Sequence, residues 1–298
     1  MKAVVSIVEL QVVYSQGTLL DIPKLDMYKG SQIVIVGGNG AGKTTFLETV
    51  LGLRKTHHGE VLIQIDKQDL GVQLQNATYN PEILVSDVVA MHKCVYRVAN
   101  SALKTAFNLS ELVDKRYGKL SRGQKQRVDL YVAMAHQPST LVLDEPGTGL
   151  DRKYSDLFIN LINEYRQREG NTLLMASHTS TELEQASHIL WIADGKVVDF
   201  TPAALMLNKH LGEFKASFTF PCSKVQSLII DELQNYKGIQ RIDASSQGEL
   251  LIYGKETIRE SLLALIQRYH LENFSFSKTC YDDFLNLVSQ KQHTRKGE

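Results

Sequence analysis

The run Gly37, Gly38, Asn39, Gly40, Ala41, Gly42, Lys43, Thr44, Thr45 constrains this chain more than any other stretch. It follows Gln32 to Val36, a short apolar run that reads as a buried strand, and it leads into Thr45 to Leu51, a helical pattern. Strand, glycine loop and helix in that order give the pattern G-x-x-x-x-G-K-[ST] the context of a polyphosphate site. The glycines allow successive backbone N–H groups to curl inward without Cβ clashes. Lys43 adds a point charge for the β- and γ-phosphates. The helix starting there offers unpaired N–H groups and its positive dipole end. Thr44 offers a hydroxyl to Mg²⁺.

Upstream, residues 4–13 and 18–22 cluster Val, Ile and Leu around a turn at Gln16 and Gly17, which predicts a β-hairpin. Tyr14 stands just before that turn, and its ring suits either a half-buried sheet position or stacking on a nucleotide base. Downstream, Gly59 to Ile65 alternates as a strand, and Leu70 to Gln75 reads as a strand ending in a glutamine. Ser86 and Asp87 predict a helix start, with Val88, His92, Val95 and Ala99 on one stripe. From there to Leu120 the chain reads as short helices, a helical insertion in an otherwise αβ-alternating sequence. Ser121 and Gln124 form a capping-box pair, so a helix begins there.

Thr140 to Asp144 reads as a buried strand, with Asp144 and Glu145 at its carboxyl end. In an open α/β sheet that edge is where ligands bind. Two adjacent acids beside a phosphate site call for a cation. Asp144 suits Mg²⁺, and Glu145 suits an attacking water. Residues 152–168 predict an amphipathic helix with Leu157, Ile159, Leu161, Ile162 and Tyr165 as its apolar members. Thr172 to Ser177 reads as another buried strand that ends at His178, which points to a functional histidine at the same sheet edge. His188 to Ala193, Asp194, Gly195 and Lys196 onward form a hairpin, with Trp191 in the core.

Composition narrows the partners. Lys and Arg number 33 and Asp and Glu number 33, so a broad nucleic-acid grip is not expected. Cys94, Cys222 and Cys280 are far apart and suggest neither a metal spacing nor a disulfide framework, which points to a reducing compartment. No apolar run approaches the ~18–20 residues of a membrane span. Glu9 interrupts the first apolar stretch, so it reads as a strand and not as a signal peptide.

These motifs, in this order, resemble the ATP-binding subunit of an ABC transporter over about residues 4–200. The match comprises the phosphate loop 37–44, Gln75 at the Q-loop, and Leu120, Ser121, Arg122, Gly123 and Gln124 as the signature. It continues with the strand and acids 140–145, Gly149, Leu150 and Asp151 as the D-loop, and Ser177 with His178 as the H-loop. The resemblance implies ATP and Mg²⁺ as cofactors, sandwiched between two cassettes head to tail. Lys43, Glu145, Gln75 and His178 would be catalytic, and Thr44, Gln75 and Asp144 would hold the metal. Tyr14, Gly37 to Thr45, Ser121, Gly123, Gln124 and Asp151 would hold nucleotide or align the halves, the signature acting in trans. The helical insertion would dock an integral-membrane permease, placing the chain at the cytoplasmic face of the cell membrane as a peripheral subunit. Two positions depart from the family: Arg122 stands where it has glycine, and Gly38 where it commonly has proline.

After residue 200 the pattern is β-α-β-β-α-β, as in a split-βαβ domain, with a last helix from Asp282 and a polar tail at 291–298. The expected fold class is therefore α/β: a P-loop NTPase ABC cassette over 1–205, with an antiparallel β subdomain and a helical subdomain at about 80–136. A small α+β, split-βαβ-like domain at 214–290 follows. Antibiotic- and lantibiotic-type export ATPases carry a similar-looking extension, so export of a drug or peptide is the expected direction. A packing or dimerisation appendage is the plainer role for the extension. The alternative function is a soluble ABC-class ATPase acting on nucleic acid or ribosomes. It fits less well, because there is one phosphate loop, no sustained heptad pattern and no net positive charge. A cassette that binds nucleotide without hydrolysing it is the third reading; Glu145 and His178 argue against it, and Arg122 argues for it.

Overall fold

The computed structural model describes residues 3–14, 17–75, 79–219, 223–244, 249–271 and 273–290. Two compact units result: Met1–Phe200 with Val288–Glu298, and Thr201–Leu287. Cys222, the turn at 245–248 and the tail at 291–298 lie outside the described residues.

In the first unit β1 (Ala3–Tyr14) and β2 (Gly17–Tyr28) pair antiparallel, and β3 (Gln32–Val36) runs into the glycine loop and α1 (Lys43–Val50). β4 (His58–Ile63) returns antiparallel to β1, and β5 (Leu70–Gln73) follows. The helical insertion holds α2 (Val85–Tyr96), α3 (Ser101–Ala106) and α4 (Arg122–Met134). Then come β6 (Thr140–Asp144), α5 (Arg152–Gln167), β7 (Thr172–Ala176), α6 (Ser180–Glu184), β8 (His188–Ala193) and β9 (Lys196–Pro202). The sheet order is β4-β1-β2-β9-β8-β3-β7-β6-β5. Its half from β8 to β5 is parallel, while β4, β1 and β2 form an antiparallel arm. β6 and β7 are buried along their whole length, which is why they read as unbroken apolar runs: a parallel strand is covered on both faces. Asp194 and Gly195 both take positive φ, the backbone a tight two-residue hairpin turn demands, and Trp191 is fully buried.

Three local expectations are corrected. β5 ends at Gln73, not at Gln75, because the Gln73 side-chain amide donates to the Asp144 carbonyl at 3.3 Å and so occupies the acceptor beyond the last ladder pair, Gln73 with Leu143. α2 stops at Tyr96, where Arg97 turns left-handed at φ 56°, so Ala99 is outside it. Val95 is 68% exposed, and the buried face is Val85, Val88 and His92. The buried stripe of α5 is Tyr154, Phe158, Ile162 and Tyr165, with Leu157, Ile159 and Leu161 only partly covered.

The second unit carries α7 (Ala203–His210), β10 (Phe214–Thr219), α8 (Ser223–Leu233), β11 (Ile239–Ala244), β12 (Glu249–Gly254), α9 (Arg259–Tyr269), β13 (Phe274–Lys278) and α10 (Tyr281–Gln290), whose last turn passes the unit's limit. Its four strands are antiparallel in the order β11-β12-β10-β13, the arrangement of a split βαβ. Alternate residues Phe214, Ala216 and Phe218 of β10 meet Ile229 and Leu233 of α8 and Leu262, Leu265 and Ile266 of α9 in one apolar core. The fold is thus α/β, a largely parallel sheet with an antiparallel arm and a helical insertion, with a separate antiparallel sheet in the second unit.

Candidate functional site

The carboxyl ends of neighbouring parallel strands β3, β7, β6 and β5 gather the candidate residues at one edge of the sheet. β3 delivers the loop Gly37 to Gly42. Gly40 and Gly42 have φ of 78° and 107°, so a side chain at either would be strained. A Cβ at Gly37 would collide with the Ile192 carbonyl of β8. The loop closes on itself through Ala41 N–H donating to Gly38 O at 3.1 Å. Lys43 is 7% exposed and its Nζ donates to Gly37 O at 2.8 Å and Gly38 O at 3.2 Å, which holds the charge at the loop's centre. Asn39 is exposed on the loop, while Thr44 and Thr45 open α1.

β6 delivers Asp144 and Glu145. Asp144 is fully buried. Thr44 Oγ1 donates to its Oδ2 at 2.7 Å, and its Oδ1 has no partner among the described residues. Burial pushes the Asp144 carboxyl up; the Thr44 hydroxyl opposes this, and the neighbouring Glu145 charge adds to it. Glu145 leaves the strand with φ 49°, a left-handed backbone that is costly for a residue with a Cβ. Its N–H donates to Ala176 O at 3.0 Å, and its carboxylate lies 3.7 Å from Lys43 Nζ.

Glu145 borders two cavities. One, of about 440 Å³, has Gln73, Gln75, Arg122, Asp129, Asp144 and Thr148 among its walls. The other, of about 360 Å³, is lined by Gly149, Ser155, Phe158, Ser177, His178 and Glu182 among others. The structure therefore brings Lys43, Thr44, Asp144, Glu145, Gln75 and His178 to one edge. Neither cavity has Tyr14, Ser121, Gly123, Gln124 or Asp151 in its walls. Tyr14 ends β1 and is 64% exposed. Ser121 caps α4 in a complete capping box with Gln124, which fixes the orientation of this N-terminus. Gly123 abuts the loop after β6: a Cβ there would sit 2.5 Å from Gly149 O. Asp151 caps α5 by accepting from Tyr154 N–H at 3.1 Å.

Other residues at this edge are not evident from the motifs. Gln73 is one; a glutamine inside an apolar strand run is the available signal. Glu182 accepts from Ser177 Oγ and so steadies the residue before His178. Gln126 Nε2 donates to Pro146 O at 2.8 Å, joining α4 to the loop after the acids. Asp129, 9% exposed, accepts from the Tyr117 hydroxyl at 2.8 and 2.9 Å. It stands out in sequence as a charge on the buried side of α4.

A family profile described as ABC transporter matches residues 20–148. A putative ABC transporter ATP-binding protein of Pyrococcus abyssi is 30% identical over 205 residues, covering 63% of this chain and 79% of its own. The zinc import ATP-binding protein ZnuC of Pseudomonas putida is 32% identical over 212 residues, covering 70% and 76%. Among solved structures, an ATP-binding subunit of an ABC transporter superposes with a TM-score of 0.61 at 18% identity, over 69% of this chain and 92% of that one. An ATP-binding cassette solved as a dimer in a post-hydrolysis state bound to ADP and Pi gives 0.57 at 23% identity, over 67% and 98%.

Proposed function

This chain belongs to the ATP-binding proteins of ABC transporters, and on that footing we propose a role for each residue at its sheet edge. It is an ATPase of that class, whose hydrolysis powers transport. The carrying observation is the convergence of the phosphate loop, Asp144 with Glu145, and His178 at the ends of adjacent parallel strands. The loop amides and Lys43 hold the β- and γ-phosphates, and Tyr14 stacks on the base. Glu145 takes a proton from the attacking water, and His178 and Gln75 contact the γ-phosphate side. An oxygen-only donor set fits Mg²⁺: the Thr44 hydroxyl, the Gln75 amide oxygen and a buried Asp144 oxygen with no donor among the described residues. Bound there, the ion neutralises charge on the phosphates.

Ser121, Gly123 and Gln124 are not among the residues that line either cavity at Glu145, which supports their acting on a second cassette's nucleotide in a head-to-tail pair. Asp151 aligns the two halves. The helical insertion docks an integral-membrane permease, so the chain works as a peripheral subunit at the cytoplasmic face of the membrane. No helix among the described residues is long and apolar enough to cross a membrane itself. For direction, import has the names of relatives such as the zinc import protein behind it, and the export-type resemblance expected from the appended unit finds no support among these relatives.

Purification from membranes tests the partner: one multi-span protein is expected, and recovery of ribosomes or DNA instead would favour the nucleic-acid alternative. Uptake by inside-out against right-side-out vesicles of the purified pair reads the direction.

A further inference from the structure

Tyr117 touches three parts of the first unit at once. Its backbone N–H donates to Ile83 O at 2.8 Å, and Gly118 N–H donates to Pro81 O at 2.8 Å. Gly118 fits because a Cβ there would lie 2.7 Å from Pro81 Cβ. Leu84 and Arg116 add a β-bridge, and Arg116 pairs with Glu82. The limb of chain that returns from Gln75 is thus bound along residues 81–84 to residues 116–118. The Tyr117 ring also meets Tyr79 of the same limb edge-on at 5.0 Å. At the far end of the ring, the hydroxyl grips both oxygens of Asp129 on α4. α4 is the helix whose first turn carries Ser121.

We propose that Tyr117 and Asp129 are positioning residues for ATP hydrolysis, linking the limb that leaves Gln75 to the helix that presents Ser121. The inference rests on the nucleotide roles proposed above for Gln75 and Ser121. Gln75 and Tyr117 line the same cavity at Glu145, and a displacement of residues 81–84 carries Tyr117 with it through the bonds to 116–118. The buried hydroxyl then carries Asp129, eight residues (about two helical turns) from the Ser121 cap. A buried carboxylate held by one donor resists separation from it, because leaving either group unpaired in the interior is costly. Both border the cavity at Glu145, and the role assigned to them is to hold α4, not to take part in the chemistry.

The test uses the full-length chain with Mg²⁺ and ATP. Tyr117→Phe removes one oxygen and keeps the ring packed on Tyr79, Asp129→Leu removes the acceptor, and Asp129→Asn keeps one acceptor oxygen in nearly the same shape. Tyr117→Phe and Asp129→Leu should each lower kcat about tenfold with KM for ATP within about twofold. The double variant should be no worse than either single one, and Asp129→Asn should recover kcat to within about threefold of the parent. In parallel, ATP-dependent hydrogen exchange at residues 121–126 should change in the parent and stay flat in Tyr117→Phe. Unaltered kcat and exchange in a folded Tyr117→Phe, or single losses that multiply in the double variant, would overturn the linkage and leave the ATPase reading intact. A parent chain that bound no ATP would sink both.

Discussion

Thr44 Oγ1 donates to Asp144 Oδ2 across 2.7 Å, tying the first turn after the phosphate loop to the end of a strand made a hundred residues later. The other carboxylate oxygen is buried with no donor among the described residues, and burial pushes this acid up. A charge so placed is costly until a cation shares it. Asp144→Asn is therefore expected to stabilise the nucleotide-free chain by about 1 kcal/mol while lowering Mg²⁺-ATPase activity at least a hundredfold. Thermal melts without nucleotide, set beside turnover, check both halves. A melting point that fell with activity would mean the carboxylate is structural.

Glu145→Gln keeps the shape of the side chain and removes its basicity. Turnover is expected to fall by about 10²- to 10⁴-fold, with ATP affinity retained and a nucleotide-trapped dimer accumulating in size-exclusion runs. Parent-like turnover in this variant would remove Glu145 from the chemistry.

Lys43 is held by the carbonyls of Gly37 and Gly38 and lies 3.7 Å from Glu145. Lys43→Ala is expected to weaken ATP binding about 10- to 100-fold, the worth of one charge-assisted phosphate contact. Isothermal titration reads it, and unchanged affinity would argue that the loop does not hold the triphosphate.

Gly123→Ala places a methyl 2.5 Å from Gly149 O, backbone that cannot swing aside. The strain is expected to cost about 1–3 kcal/mol, and because it falls between the signature turn and the loop after Glu145, activity should drop more steeply than melting temperature. Equal activity in a stable Gly123→Ala protein would show that this contact can be loosened freely.

Asp129 gives a pH signature. Burial pushes it up from 3.8 to about 7, against the opposing Tyr117 hydroxyl and Lys125 charge. Nearby Tyr79 is itself pushed up, to about 12, chiefly by burial and then by the Asp129 charge. An acid that holds its proton more tightly folded than unfolded destabilises the fold as pH climbs from its unfolded to its folded pKa. The parent should thus lose up to a few kcal/mol between about pH 4 and 7 that Asp129→Asn does not lose, and the difference should level off above 7. Paired denaturation curves across that range test the sign; a gap that shrinks toward neutrality contradicts it.

The residues legible in the sequence share one property: each closes a short apolar run. Asp144 ends a five-residue buried strand and Glu145 follows it, His178 stands two residues past another, and the glycine loop follows a third, so strand length locates them. Gln73 and Asp129 show in the sequence only as polar residues in apolar surroundings, because their partners, Asp144 and Tyr117, are chosen by packing between elements and not by spacing along one. Leu157, Phe158 and Ile159 are three consecutive apolar residues, so periodicity alone could not pick Phe158 as the buried one. Alternation in Leu70 to Gln75 runs past the true strand end, since a side-chain amide, not a change of pattern, stops the ladder.

Strand β3 lies between β8 and β7, and its loop is propped at the far side by Gly195, whose N–H donates to Ala41 O at 2.9 Å and whose carbonyl accepts from Asp21 N–H at 2.8 Å. On the ribosome, the segment that grips triphosphate is thus synthesised well before it is framed, since both flanking strands and the prop emerge after residue 170. Nascent chains that have not yet reached Gly195 carry the motif without its frame and should leave cellular nucleotide alone.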